Sequence, residues 1–348
     1  MGSPRADTPL TSRRHLLALG GALALSPLLA ACGKDDANGD SKSSGSGQKG
    51  DDGAWHFKDD RGRTVTLDRR PQRIVAFVSA AAALYDYGIE CTGIFGPSKP
   101  IDGKPNPQAG RLDLDKLTSV GEQWGQFNIE KYVALRPDLL VSTMFPPPAL
   151  WFVPGESQKK IETLARTVGI AGAHRSLLKP LERTADLAVA LGADLRAQQP
   201  AQAKARFERA AETLREAARA NGGLKVMAMT GSPDQMYVAV PDAYCDLHYF
   251  KDLGVEFVEG KKSDKWGFWE FLSWENADRY HADLIMMDNR AAAMRRKDLD
   301  QKPTWRQLPA VRAGQIVPWS MEERYSYAGY APVIEHLAAA VRDAKKLR

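Results

Sequence analysis

The chain has 348 residues, 43% of them hydrophobic and 26% charged, with a formal net charge of +5. A leader removed at residue 31 would take three arginines and one aspartate with it, leaving +3, a mild excess without the basic runs that nucleic acid demands. Nucleic-acid partners are therefore excluded, and three cysteines are too few for a disulfide-built scaffold.

Residues 1–31 read as an export signal: Arg13 and Arg14 precede an apolar run from Leu16 to Ala31, too short to span a membrane comfortably. Ser12-Arg13-Arg14-His15-Leu16-Leu17 is similar to a twin-arginine signal. The run ends in Leu29-Ala30-Ala31-Cys32-Gly33, which resembles the lipobox of bacterial lipoproteins, where the Cys32 thiol takes a diacylglyceryl group and becomes N-terminal after cleavage. Residues 32–53 are rich in Gly, Ser, Asp and Lys and bury too little to offset the entropy of ordering, so they read as a tether. The expected location is extracytoplasmic, lipid-anchored to the outer face of the cell membrane.

About 295 residues remain, enough for two medium lobes. Trp55 to Leu67 alternates around Asp60-Arg61-Gly62-Arg63, a hairpin pattern. Strands are expected at residues 73–78, 92–95 and 138–142, and helices at 80–87, 129–135 and 158–168. Strands alternating with helices imply a mainly parallel sheet with helices on both faces. Pro180 to Leu191 has helical spacing, and the Ala-rich stretch from Ala201 to Ala220 is long enough to join two lobes. Beyond it, strands are expected at 225–229, 236–240, 284–287 and 316–318, with a last helix over 331–346, so the second half repeats the architecture of the first. The expected fold is α/β: an N-terminal lobe (54–200), an interlobe helix (201–221) and a C-terminal lobe (222–348), two Rossmann-like lobes joined by a single long helix with a ligand cleft between them.

Several segments carry a family likeness: Asp60-Arg61-Gly62-Arg63-Thr64-Val65, Pro71-Gln72-Arg73-Ile74-Val75, Val120-Gly121, Asn128-Ile129-Glu130 and Leu135-Arg136-Pro137-Asp138-Leu139-Leu140. Downstream come Ala190-Leu191-Gly192-Ala193-Asp194, Ser273-Trp274-Glu275, Ala282-Asp283-Leu284-Ile285 and Leu308-Pro309-Ala310-Val311-Arg312-Ala313-Gly314-Gln315-Ile316-Val317. In order and spacing these resemble the siderophore-binding and vitamin-B12-binding receptors of ABC importers. The resemblance implies a binding protein rather than an enzyme, a rigid interlobe helix, and one glutamate on the tip of each lobe that pairs with permease arginines. Those positions fall on Glu130 and Glu275. Each carboxylate also opens an expected helix, where the dipole favours negative charge.

Aromatic residues crowd the loops after the expected strands: Trp124, Phe127, Phe145, Trp151 and Phe152 in the first half, Trp266, Phe268, Trp269, Trp319, Tyr325 and Tyr327 in the second. Such a set at a cleft mouth argues for a large, partly apolar ligand. The candidate ligand-binding residues are Trp124, Phe145, Trp151, Trp266, Trp269, Arg290, Trp319, Arg324 and Tyr325. The arginines suit paired ligand oxygens, or else pair with acids such as Asp288 and Glu322. Few basic residues accompany the aromatics, which favours a ferric siderophore of the neutral or weakly charged hydroxamate type, with iron arriving already chelated and no cofactor of the protein's own. His56, His174, His248, His281 and His336 lack paired ligand spacing, so no metal site is expected. The alternatives are a haem or cobalamin receptor of the same fold, with Tyr325 or Tyr244 as an axial ligand, and a hydrolase-like enzyme. Thr230-Gly231-Ser232-Pro233 fails the nucleophile-elbow pattern, and no glycine run fits a dinucleotide or phosphate loop.

Overall fold

The structure is a computed structural model that describes residues 53–262 and 264–347. The expected leader, the Cys32 lipidation site and nearly all of the expected tether lie outside the described residues. Among the described residues no helix is long and apolar enough to cross a membrane.

The first lobe opens with an antiparallel hairpin, β1 (Trp55–Lys58) and β2 (Thr64–Leu67), as its alternation predicts. Then follow β3 (Ile74–Phe77), helix α1 (Val78–Asp86), β4 (Gly93–Phe95), β5 (Thr118–Ser119), α2 (Ile129–Ala134), β6 (Leu139–Met144), α3 (Gln158–Leu164), β7 (Arg166–Ala171) and α4 (Leu178–Ala190). The sheet order β5-β4-β3-β6-β7 is parallel throughout. Chain direction reverses across the sheet between β3 and β6, and ligands of open α/β sheets bind at the carboxyl ends of such neighbours. Phe145, directly after β6, stands at that point.

Helix α3 is shorter than expected. The spacing of Ile161, Leu164 and Val168 mimics a helical stripe, yet the chain leaves the helix after Leu164 and Thr167, Val168 and Ile170 form β7, where branched side chains pack on a pleated surface.

Helix α5 (Gln198–Ala220) has 23 residues and spans about 35 Å. It begins three residues before the expected start, because Pro200 sits in the first turn, where its missing N–H would have had no intrahelical partner. Phe207, Ala210, Ala211, Leu214, Ala217 and Ala218 form its buried stripe. Asn221 ends it, its Nδ2 donating to the carbonyls of Val341 (2.8 Å) and Ala344 (2.9 Å).

The second lobe contains β8 (Lys225–Gly231), β9 (Gln235–Ala239), α6 (Cys245–Asp252), β10 (Glu256–Phe257), β11 (Trp269–Ser273), β12 (Leu284–Asp288), short helices α7 (Arg296–Leu299), α8 (Pro303–Gln307) and α9 (Pro309–Arg312), β13 (Ile316–Trp319) and α10 (Tyr327–Asp343). Its sheet follows β11-β9-β8-β12-β13, with β10 beside β8. It is mixed: β8, β12 and β13 are parallel, while β9 runs antiparallel to both β8 and β11. The second half therefore repeats the first only in part.

The shared part is nonetheless close in detail. Asp138, just before β6, accepts the amide of Arg73 at 2.9 Å and donates its own to the Arg73 carbonyl at 2.8 Å. Asp283, just before β12, makes the same exchange with Lys225, at 2.7 Å each way. An aspartate that clasps the start of the neighbouring strand explains why the Pro-Asp-Leu and Ala-Asp-Leu segments look alike.

The two lobes meet along one continuous core in which α5 and α10 pack against Phe145, Ala173, Leu177 and Leu181 from the first lobe and Val226, Tyr244, Phe250 and Trp319 from the second. A β-bridge between Ala173 and Tyr244 also ties them through backbone. Cys91 and Cys245 are buried free thiols, pushed up to about 12 by burial.

Candidate functional site

Two aromatic groups stand out, one on the loops after β5 and β6 in the first lobe and one at the start of β11 in the second. In the first lobe Trp151 is half-buried, with ring centroids 4.7 Å from Trp124 and 5.7 Å from Phe145. Its backbone is pinned, since its amide donates to Thr143 (2.8 Å) and its carbonyl accepts from Ser142 Oγ (2.9 Å). Trp124 is 62% exposed. The loop carrying it depends on Gly121, where a Cβ would stand 1.6 Å from the carbonyl oxygen of Gln126. That close approach accounts for the glycine of Val120-Gly121.

In the second lobe half-buried Trp269 lies 5.3 Å from Tyr244 and 6.1 Å from Trp319. Trp266 is 49% exposed, with the Lys265 ammonium 4.3 Å from its ring centre.

The nine candidates thus separate by depth. Trp124 and Trp266 are exposed, and Trp151 and Trp269 are half-buried. Phe145, Trp319 and Tyr325 are buried. Trp319 donates its indole N–H to Asp246 at 2.8 Å, and Tyr325 donates its hydroxyl to the Gly172 carbonyl at 3.0 Å. The polar side-chain atoms of Trp319 and Tyr325 are therefore committed to the protein. Tyr325 is equally unavailable as an axial haem ligand, and burial raises the pKa values of both Tyr325 and Tyr244 well above the ordinary phenol range.

Arg290 and Arg324 are each clamped by two carboxylates. Arg290 is held by Asp288 at 2.8 Å and by Glu322. Arg324 is held by Asp86 at 2.9 Å and Glu323 at 2.8 Å. The pairing of Arg290 with Asp288 and Glu322 is the alternative weighed from the sequence. Burial raises Glu323 to about 7 against the pull of Arg324, and it raises Asp246 to about 6. Asp86 escaped the sequence reading. It is a buried carboxylate in an otherwise apolar helix, and it also accepts from Ser326 Oγ at 2.6 Å and Arg111 at 3.0 Å. Its signal was available as the lone acid in Ala81-Ala82-Ala83-Leu84-Tyr85-Asp86.

Glu130 and Glu275 are both exposed. Glu130 lies in the first turn of α2, capped by Asn128, whose Oδ1 accepts from the Lys131 amide at 2.9 Å. Glu275 opens a short 3-10 helix, Trp274–Arg279, rather than an α-helix. Among the described residues no group of three His, Cys, Asp or Glu is placed to hold a metal ion. A cavity of about 790 Å³ lies where the chain enters the fold beside Trp55, Arg69, Arg70 and Val189.

Two lobes joined by a long helix make a solute-binding architecture, and residues 76–322 match the sequence pattern of the family described as periplasmic binding protein. The chain belongs to the periplasmic binding protein family. This is a family of extracytoplasmic binding proteins, not of enzymes, so the hydrolase alternative falls. The chain is similar to DesE, a ferric-siderophore receptor protein from Streptomyces coelicolor: 48% identity, TM-score 0.81, covering 84% of this chain and 100% of that one. The siderophore periplasmic binding protein from the fuscachelin gene cluster of Thermobifida fusca shares the fold at 22% identity and TM-score 0.55, over 78% of this chain and 96% of its own. Staphylococcus aureus SirA, solved with staphyloferrin B, shares it at 17% identity and TM-score 0.59, over 84% and 99%. The likeness to iron-siderophore receptors read from the sequence is thus met again in the solved structures. No curated protein matches the chain.

Proposed function

We propose that this chain is a lipoprotein, anchored through Cys32, that captures a ferric siderophore of the hydroxamate type between its lobes and delivers it to the transmembrane subunits of an ABC permease. The carrying observation is the charge balance in the segments that follow β12 and β13: Arg290 and Arg324 each face two carboxylates, so they offer an incoming ligand no excess positive charge. A highly anionic ferric catecholate would find no counter-charge there. A neutral or cationic ferric trihydroxamate meets flat tryptophan surfaces that suit its methylene chains. Substantial identity to DesE, whose name gives it as a ferric-siderophore receptor, supports the siderophore class. Iron enters as part of the cargo, already wrapped by its chelator.

The test is tryptophan-fluorescence titration of the purified mature protein with ferric trihydroxamates of the ferrioxamine type, ferric catecholates, haem and cobalamin. Strong quenching by the trihydroxamate is expected, with Trp124 and Trp266 exposed and Trp151 and Trp269 half-buried. Tighter binding of the catecholate, haem or cobalamin would overturn the reading. Metabolic labelling with a radioactive fatty acid tests the anchor: label should enter the wild type and not Cys32→Ala.

A further inference from the structure

Glu322, in the segment between β13 and α10, joins the two lobes through one carboxylate. Oε1 accepts from Arg290 Nη1, and Arg290 is in turn held by Asp288. Oε2 accepts from Gln108 Nε2 at 2.8 Å. Gln108 comes from the other lobe. It sits in a one-turn helix, Pro107–Ala109, fixed by Asn106, whose Oδ1 accepts the Gln108 amide at 3.0 Å and whose Nδ2 donates to the carbonyls of Pro97 (3.0 Å) and Lys99 (3.2 Å).

Gln108 is fully buried, and its Oε1 has no hydrogen-bond partner among the described residues. A buried amide with one arm unsatisfied is unfavourable by itself, so an apolar residue would serve packing better. What Gln108 supplies and an apolar side chain cannot is a charge-assisted hydrogen bond to Glu322. Arg290 has five N–H groups, of which one each on Nε, Nη1 and Nη2 reach Asp288 or Glu322, leaving two for a ligand. The direction of those two follows the carboxylates that hold the guanidinium.

We infer that Gln108 is a positioning residue through which the N-terminal lobe sets the orientation of the Arg290 guanidinium for the ligand. This rests on the proposed siderophore reading only in taking Arg290 as a ligand contact. The chain of contacts makes the arginine's orientation depend on how the lobes sit together, because its carboxylate partner is shared between them.

The test uses Gln108→Glu in the mature protein. The new carboxyl would face Glu322, and two carboxylates at hydrogen-bond distance share one proton rather than both ionise. The other charged groups at Glu322 are Arg290 and Asp288, with Glu323 next in the chain and paired to Arg324, which Asp86 also holds. Wild type measured at each pH accounts for their titration. With the proton present, the carboxylic acid donates to Glu322 as the amide does. Without it the bond is lost. Affinity of Q108E for a ferric trihydroxamate, relative to wild type, should be near one at pH 5 and fall about tenfold by pH 8, the equivalent of one hydrogen bond to a charged group. Gln108→Ala should be about tenfold weaker at both pH values. In an Arg290→Gln background the Q108E effect should vanish, since residues acting through one another are not additive.

The ¹⁵N–¹H signal of Arg290 Nε supplies a readout without ligand: it should move further between pH 5 and 8 in Q108E than in wild type. A signal that moves no further in Q108E than in wild type, a pH-independent affinity ratio, or a Q108E effect that survives Arg290→Gln each overturns the inference. Wild type that binds no ferric siderophore would sink the functional reading instead, while the Arg290 signal still decides the positioning role.

Discussion

Asp86 and Arg324 are 238 residues apart in the chain, yet Nε of the arginine meets Oδ2 of the aspartate at 2.9 Å, with the aspartate side chain almost wholly buried. One ends the first helix of the N-terminal lobe, and the other follows the last strand of the C-terminal lobe. The same carboxylate takes Ser326 Oγ, and Ser326 caps α10 by accepting the Gly329 amide at 3.0 Å. Helix start, interlobe contact and arginine clamp therefore share one residue. Asp86→Ala should leave Arg324 with Glu323 alone and cost about 3–5 kcal/mol, as expected when one partner of a buried pair is removed. Urea denaturation of the two proteins at neutral pH checks this. A loss below 1 kcal/mol would show that the pair is surface-like despite its burial.

Glu323 sets a pH dependence of definite sign. Burial raises its folded value to about 7 from the ordinary 4.5, so between those values the folded state holds a proton that the unfolded chain releases. Stability from this group is present below pH 4.5 and declines as pH rises through 7, and Asp246, raised to about 6, acts in the same direction. The melting temperature should fall from pH 5 to pH 8. Glu323→Gln, which keeps an oxygen for Arg324, should flatten that fall and melt above wild type at pH 8. An unchanged slope in the variant would place the titration elsewhere.

Much of this architecture was readable from local pattern. Continuous apolar runs marked β3, β6, β8 and β12, and the Ala-rich stripe marked α5, because burial on both faces or on one stripe leaves a period in the sequence. The edge strands were not so marked. β7 carries apolar residues at a spacing that also suits a helix, and β11 buries only Glu270 and Leu272 while Phe271 and Ser273 face out. The site divides the same way. That aromatics gather near strand ends was visible, but Trp319 and Trp269 read alike in sequence, and only the packing of the fold buries the first and leaves the second half-exposed. The run before Asp86 marks it as an unusual acid but says nothing of its partner, since the clamp on Arg324 is formed by lobe packing.

That distinction between exposed and buried rings is itself testable. Trp124→Ala removes a ring that is mostly exposed, so its effect on melting temperature should be small, while affinity for the trihydroxamate should drop about tenfold, in line with one lost aromatic contact. Trp319→Ala opens a cavity in the core and should cost about 3–5 kcal/mol of stability. Paired melting curves and fluorescence titrations separate the two. Equal destabilisation by both changes would mean that the Trp124 ring is part of the core.

Glu130 and Glu275 stand at the starts of short helices on different lobes, and two roles compete for them. A carboxylate in a first turn gains about 0.3–1 kcal/mol from the helix end, so a purely local role predicts a small stability loss and no change in transport. Docking predicts the reverse weighting. Both side chains are exposed, and neither forms an ion pair among the described residues that would occupy it otherwise. If these acids dock on a permease, losing them should stop delivery without disturbing the cleft. The Glu130→Ala, Glu275→Ala double variant should therefore melt within a few degrees of wild type, bind ferric trihydroxamate with unchanged affinity, and fail to support iron uptake in cells lacking the native protein. Uptake at the wild-type rate would remove both residues from the docking role and leave them as helix-end charges.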